Sequence, residues 1–365
     1  MSRHIKELNI KSFRGIKNLS LKELNNINII TGDNNCGKTS VLEVLESLNS
    51  PTNINTWIKL NRGDNLTLYE DIKGLFNVDT QESIEYSIKN SNDKFINIKI
   101  SNEREELLLT NKEINQIRHT YFKSSENDYL IDDKDLITEE VSKLNLKFEI
   151  DKNIISEEEL YNFQFRLKNK YKKDKKIIKT IYISPFEHSK ARLFLTEVLN
   201  NAELYKEMLE ILKEFDDGII SINADASEDK YSRQIEYKIL SKNHKNAIPL
   251  SLYGDGMKKA ILLMSAVVTS KDGVLLLDEF ETAIHTSAMN KVFSWILKTC
   301  MKLNVQLFLT SHSEEAIDKI LKCCPEFQKK INLYTLYNNL DETVARKLDG
   351  KKAIEVKEDL GLELR

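Results

Sequence analysis

Residues 27–40 read Ile27-Asn28-Ile29-Ile30-Thr31-Gly32-Asp33-Asn34-Asn35-Cys36-Gly37-Lys38-Thr39-Ser40, and the fold class follows from how such a stretch must be built. Ile27, Ile29 and Ile30 make the run up to Thr31 an apolar strand that passes straight into Gly32. After Lys38 the apolar residues Val41, Leu42, Val44, Leu45 and Leu48 recur at helical spacing, until Asn49, Ser50 and Pro51 end the run. Between strand and helix the loop fits G-x-x-x-x-G-K-[ST] at every fixed position. Glycine there lets backbone amides approach phosphate oxygens with positive φ, the helix N-terminus adds its dipole, and Lys38 neutralises the outer phosphates. Candidate phosphate-binding residues are therefore Gly32, Asn34, Asn35, Gly37, Lys38, Thr39 and Ser40, with the Thr39 hydroxyl as the expected Mg²⁺ ligand. Cys36 reads either as a small tolerated residue or as a redox-sensitive spot in the loop.

Working outward, alternation over His4 to Phe13 predicts a preceding strand, with a turn at Gly15. Far downstream, Val274 to Leu277 is a short apolar strand that ends in Asp278 and Glu279. Parallel strands present functional residues at their carboxyl ends. There Asp278 would hold a metal through water and Glu279 would orient or deprotonate the attacking water, although paired acids also end strands as plain solvated carboxylates. The next apolar strand, Gln306 to Leu309, leads into Thr310-Ser311-His312-Ser313, placing His312 at the end of a neighbouring strand where a γ-phosphate would lie. Before both, Pro249 to Lys259 (PLSLYGDGMKK) forms a glycine-containing turn that opens a helix over Met257 to Val268. Such a turn offers free amides to an anion or simply caps its helix.

The chain has 365 residues, 41% of them hydrophobic and 30% charged, enough for a large core and two or three domains. With 54 basic and 57 acidic side chains the net charge is -3, so nucleic acid can be attracted only by a local patch. The candidate patch is Arg166 with the lysines from Lys168 to Lys179, which also reads as a solvated hairpin. The apolar stretch at Ala260 to Val268 is too short for a bilayer, and the amino terminus carries no secretory core, so a cytoplasmic protein is expected. Four cysteines, at 36, 300, 323 and 324, read as free thiols of a reducing compartment.

Alternation of apolar strands and helices after Asp216 predicts an α/β protein with a mainly parallel sheet flanked by helices. The expected division is 1–50, the phosphate-loop part of the core; 51–180, a polar β-rich insertion; 181–217, a helical arm or dimerisation segment, equally readable as a packed hairpin; and 218–365, the rest of the core.

Phosphate loop, acidic strand end and post-strand histidine in this order resemble the ABC ATPase superfamily, in particular the branch of structural-maintenance (SMC), RecF and overcoming-lysogenization-defect (OLD) proteins. Phe13-Arg14-Gly15 is similar to that branch's opening strand. Gly254-Asp255-Gly256-Met257-Lys258-Lys259 resembles the OLD-like signature turn, with Ser251 set two residues further from Gly254 than in a tight serine-glycine signature. Asp278-Glu279-Phe280-Glu281 to Thr286 resembles the OLD-like segment that lines the dimer interface, with His285 in place and Thr286 where proline is usual. The resemblance implies ATP and Mg²⁺ as ligands, Asp278 and Thr39 at the metal, Glu279 and His312 as catalytic residues, and a homodimer or higher oligomer. In that dimer Ser251, Gly254 and Gly256 of one subunit meet the γ-phosphate held by the other. The loop after Ser184 and Pro185, with Glu187 and His188, takes the place of the family's glutamine lid. OLD proteins also carry a Toprim nuclease domain, for which the residues after His312 are too few. The chain is therefore similar to the stand-alone ATPase that bacterial anti-phage systems pair with a separate effector nuclease or toxin. A RecF-like DNA-repair ATPase and a scaffold that binds ATP with little turnover are the alternatives.

Overall fold

The structure is a computed structural model, and the residues it describes are 3–60, 67–76, 83–121, 137–167, 176–185, 187, 194–226, 235–282, 284, 286–339 and 342–360. Two sheets and a strand-rich lobe organise them. The first sheet has the order β2-β1-β4-β5-β6-β7. It is built from β1 (Ile5–Phe13), β2 (Ile16–Leu21), β4 (Ile84–Asn90), β5 (Phe95–Thr110), β6 (Thr138–Ile150) and β7 (Asn153–Tyr161), all paired antiparallel. The second sheet has the order β15-β14-β3-β13-β12-β8. Its members are β3 (Ile27–Gly32), β8 (Thr180–Ile183), β12 (Val274–Leu277), β13 (Gln306–Thr310), β14 (Ile331–Asn339) and β15 (Glu342–Asp349). All its pairings are parallel except that of β15 with β14. The lobe is β9 (Ile219–Ala226), β10 (Ile235–Ser241) and β11 (Ile248–Pro249).

Burial on both faces explains the apolar runs of the parallel strands. Successive residues enter different cores: Leu275, Leu277, Leu307 and Leu309 pack among the helices on one side, and Val274, Leu276 and Phe308 on the other. Helix α1 (Lys38–Ser47) lies in the second core with the inner face of the antiparallel sheet, so it is buried nearly all round, down to Glu43 and Ser47. That placement explains why its sequence is apolar beyond one stripe. Short helices α2 (Ile54–Lys59) and α3 (Leu68–Lys73) follow, and α4 (Asn111–Tyr121) lies beside the long β5–β6 hairpin. On the other side of the parallel sheet sit α5 (Leu195–Leu199), α6 (Ala202–Leu212), α7 (Asp255–Thr269), α8 (Thr286–Lys302) and α9 (Glu314–Cys323); α10 (Gly350–Leu360) ends the described chain.

The mainly parallel α/β core matches the expectation. Several elements were not anticipated. Asn18 at φ 55° interrupts the alternation of β2, whose buried residues are Ile16, Leu19 and Leu21, so a strand stands where only a turn was expected. β1 hydrogen-bonds with β4 of the 51–180 region, and β2 pairs with β1 at the edge of the same antiparallel sheet, rather than joining the parallel core. Of the two readings of 181–217, α5 and α6 form a packed pair, burying Leu195, Val198, Leu204, Met208 and Leu212 against α7. Of the lysine-rich stretch, 168–175 lies outside the described residues.

Exposed bridges such as Lys6–Asp93 are screened by solvent and contribute little, whereas truncating one buried leucine costs ~2–5 kcal/mol, so the two cores carry the stability. One buried charge works against them. Glu46 of α1 has a buried Oε2 with no hydrogen-bond partner. Burial pushes its carboxyl from 4.5 up to about 7, with Thr180, Lys59 and Lys176 pulling the other way. The native state therefore keeps a proton that the unfolded chain loses, and stability falls as pH rises from about 4.5 to 7. Glu46→Gln is expected to be more stable than wild type at pH 8 by ~1–3 kcal/mol and less so at pH 5. Urea midpoints at the two pH values check this; an unchanged pH slope would refute it.

Candidate active site

The carboxyl ends of β3, β13, β12 and β8 lie side by side, and the chemistry-bearing residues sit just past them. Beyond β3, Gly32 adopts φ 137° and Gly37 φ 96°, a region L side chains avoid. A Cβ at Gly32 would collide with the carbonyl oxygen of Leu336, and one at Gly37 would come within 2.8 Å of Ile16 Cγ1. Asn35 also takes positive φ, at 65°. Lys38 Nζ donates to the carbonyls of Gly32 (2.9 Å) and Asp33 (2.7 Å) and lies 3.8 Å from Cys36 Sγ. A cavity of about 250 Å³ opens here, lined by Arg14, Asn35, Gly37, Lys38, Thr39, Ser40 and, from the β13 side, His312. Asn34 is exposed on the same turn.

Past β12, the Asp278 carboxylate is a hub. Its Oδ1 accepts from Thr310 Oγ1 (2.5 Å) and Thr39 Oγ1 (3.2 Å), and its Oδ2 from Tyr182 OH (3.0 Å). Glu279 has φ 42°, uncommon for a non-glycine residue, and its N–H is held by Thr310 Oγ1 at 2.9 Å. That backbone turns the Glu279 side chain toward solvent, 42% exposed, with Oε1 3.9 Å from His312 Nε2. The structure thus brings Gly32, Lys38, Thr39, Asp278, Glu279 and His312 to one edge of the parallel sheet.

Further residues complete the arrangement, Thr310 and Tyr182 in roles that reading the sequence did not assign. Thr310 and Tyr182 orient Asp278. Glu281 Oε1 accepts from Ser311 Oγ (2.7 Å) and the His312 N–H (3.3 Å), fixing the histidine loop to the turn after β12; burial raises the Glu281 carboxyl above its ordinary range against these bonds. Arg14, with φ 50°, pairs with buried Glu43 (3.3 Å) and donates to the Leu60 carbonyl (2.7 Å).

The donor set fits the expected ligands. Strained glycines leave room only for backbone beside the loop, Lys38 supplies the cation, and a hydroxyl with a carboxylate oxygen 3.2 Å away offers hard oxygen donors. Among the described residues no three His, Cys, Asp or Glu side chains form a metal cage, as suits Mg²⁺, which binds through one or two protein oxygens plus substrate phosphates. Thr39 Oγ1 and the Asp278 carboxylate are the groups that would hold Mg²⁺, which would neutralise charge developing on phosphate oxygens.

The second constellation lies elsewhere. Ser251 is exposed in a 3-10 turn (Leu250–Leu252), and Gly254 caps α7, followed by Asp255 and Gly256. None of Ser251, Gly254 or Gly256 lines the cavity of the phosphate loop. Gly254 has φ −62°, open to any residue, and a Cβ there would meet nothing within 4 Å, so its own fold does not demand glycine. As glycine, Gly254 offers no side chain of its own to cap this helix end. In the loop after β8, Ser184 Oγ donates to Glu187 Oε2 at 3.1 Å; His188 and His285 lie outside the described residues.

Compared with known proteins, residues 27–318 match the family described as "AAA domain, putative AbiEii toxin, Type IV TA system". The chain belongs to this family. Among relatives of this AAA-domain protein, an "ATP/GTP phosphatase" of Helicobacter pylori is 25% identical over 354 residues, 86% of each chain. An uncharacterized protein of Methanocaldococcus jannaschii is 29% identical over 112 residues, 31% of this chain and 98% of that one. Solved structures with the same fold include an Smc head bound to the C-winged helix domain of ScpA (TM-score 0.50, 12% identity, 97% of this chain and 100% of that one). A second is an Smc head domain with an extended coiled coil, bound to the C-terminal domain of ScpA derived from Pyrococcus furiosus (TM-score 0.50, 9% identity, 98% and 100%). The protein is a P-loop ATPase of AAA type, and its fold is like that of the SMC head. No helix among the described residues is long and apolar enough to cross a membrane.

Proposed function

We propose that this ATPase is a nucleotide-gated dimeric switch. ATP with Mg²⁺ occupies the loop from Gly32 to Ser40; Thr39 and Asp278 attend the metal, Glu279 activates the attacking water, and His312 reads the γ-phosphate. The site is completed by Ser251, Gly254 and Gly256 of a second copy, whose helix start supplies amides to the γ-phosphate. One observation carries this reading: the Gly254 turn belongs to the same chain as the phosphate loop, yet its residues do not line that loop's cavity. Hydrolysis then reopens the dimer. In this reading the switch acts in the cytoplasm, in OLD-like fashion, and controls a separate effector protein in anti-phage defence; the family's toxin-system description supports that pairing.

Light scattering with and without a non-hydrolysed ATP analogue and Mg²⁺ tests the switch. A monomer that doubles its mass with nucleotide is expected, together with phosphate release from ATP. Unchanged mass in both conditions would overturn it. For the effector, co-purification of a neighbouring gene's product with the ATPase is the expected result, and its failure in both nucleotide states would remove that half of the reading.

A further inference from the structure

The turn at Gly254 is held from the side by a carboxylate of another element. Asp216 lies just past α6, its N–H donating to the carbonyl of Leu212, the last residue of that helix, at 3.1 Å. Its Oδ1 accepts three bonds: from the Gly218 N–H (3.0 Å) at the entry to β9, from buried Ser241 Oγ (3.0 Å) at the end of β10, and from Asn243 Nδ2 (2.7 Å). Glycine at 218 serves this closure, since a Cβ there would come within 2.8 Å of the Asn243 amide and of Ser241 Oγ. With Oδ1 so clamped, Oδ2 accepts from Tyr253 OH at 3.2 Å. The Tyr253 ring packs against the core on the helix side of the parallel sheet and meets the His244 ring edge-on, with 6.5 Å between centroids. Desolvation by burial works against the Asp216 charge, but the bonds from Ser241, Gly218, Asn243 and Tyr253 outweigh it and hold the carboxyl below its ordinary range. A charged acceptor makes the stronger kind of hydrogen bond. Asp255, just past Gly254, instead pairs within its own helix, with Lys258 (2.7 Å).

We propose that Asp216 is a positioning residue: through the Tyr253 hydroxyl it sets where the Gly254 turn stands, so that the amides opening α7 meet a γ-phosphate held by a second copy. The proposal rests on the dimeric switch described above and gives the β9–β10 lobe a task in it, as the mount of the turn. Leu250 on one side of the turn and Met257 on the other are buried in the same core. The residues between them are exposed or half-buried, and Gly254 adds no anchor of its own, since a Cβ there would meet nothing within 4 Å. A span with so few packed contacts opens locally unless something ties it. Tyr253, midway along it, is tied to a carboxylate that the end of α6, the start of β9 and the end of β10 fix together. Removing the hydroxyl leaves both core anchors in place, so the chain folds and its own phosphate loop is untouched. The defect appears at the phosphate loop of the other subunit, which this turn serves.

The test is phosphate release from ATP by wild type, Tyr253→Phe, Asp216→Asn, and an equimolar mixture of Tyr253→Phe with Glu279→Gln. Nucleotide-free melts verify folding, and the melt shift with Mg²⁺ and ADP, which lacks the γ-phosphate, reads each subunit's own loop. In Tyr253→Phe, kcat is expected to fall about tenfold or more while the ADP shift stays that of wild type. In the mixture, a mixed dimer joins the intact loop of the Tyr253→Phe subunit to the intact turn of the Glu279→Gln subunit. Turnover should then rise to about a quarter of wild type, with about half of the dimers mixed and one of their two sites whole. A defect confined to its own subunit gives only the mean of the two variants measured apart. Should Tyr253→Phe not fold, Asp216→Asn, whose amide cannot satisfy both Tyr253 and the three donors on Oδ1, must show the same loss and the same rescue. Tyr253→Phe at the wild-type rate, or a mixture no better than the mean, overturns the inference. Wild type that forms no nucleotide-dependent dimer sinks the switch itself; wild type that dimerises while the mixture shows no rescue sinks only this inference.

Discussion

Glu279→Gln protein is expected to bind ATP with wild-type affinity, to release phosphate at least ~100-fold more slowly, and to accumulate as the nucleotide-bound dimer. The geometry separates the two effects. Glu279 is placed by its backbone: φ is 42° and its N–H is fixed to Thr310 Oγ1, neither of which an amide side chain disturbs. Glutamine keeps the volume and loses the base. The loop proposed to hold the phosphates, Gly32 to Ser40, follows another strand, β3, and the Asp278 hub is held by Thr310, Thr39 and Tyr182 without help from Glu279. Phosphate-release kinetics and light scattering on the same sample check the expectation. Turnover within about threefold of wild type would show that another group activates the water.

How much of this was legible depends on whether a residue's job is local. The phosphate loop is local: two strained glycines, a lysine folded onto its own loop carbonyls and a helix start are contiguous, so the motif and its geometry coincide. β12 was legible because Val274 to Leu277 is buried on both faces and no polar residue interrupts it. β14 was not, because Asn332 and Thr335 break up an equally buried strand; the structure meets that polarity with bonds from Asn332 Nδ2 and Tyr334 OH to the carbonyls of Glu23 and Lys22. Lys258 and Lys259 are indistinguishable in composition. Which of them points inward is decided by the phase of α7 against β8 and β12, a tertiary fact. The pairing of Arg14 with Glu43 on α1 is likewise a tertiary fact.

Lys38→Ala is expected to reduce ATP affinity by ~100-fold or more while leaving the nucleotide-free protein nearly as stable as wild type. Removing the ammonium deletes hydrogen bonds to the Gly32 and Asp33 carbonyls. Bonds of this kind are worth ~1–3 kcal/mol each at most, and both carbonyls belong to a loop beside an open cavity where water can replace the lost donor. Nothing replaces the charge that would face the phosphates. Binding raises stability by RT ln(1 + [L]/Kd), about 2.7 kcal/mol at a ligand concentration of ~100 Kd, so wild type should melt several degrees higher with Mg²⁺ and ATP, and Lys38→Ala should not. Equal shifts in the two proteins would mean that the loop is not where nucleotide binds. Set beside Glu279→Gln, this variant also separates a scaffold from a switch. If the cellular activity survives Glu279→Gln and is lost in Lys38→Ala, occupancy of the site is what the partner reads; if both variants lose it, the partner reads the cycle of closing and reopening.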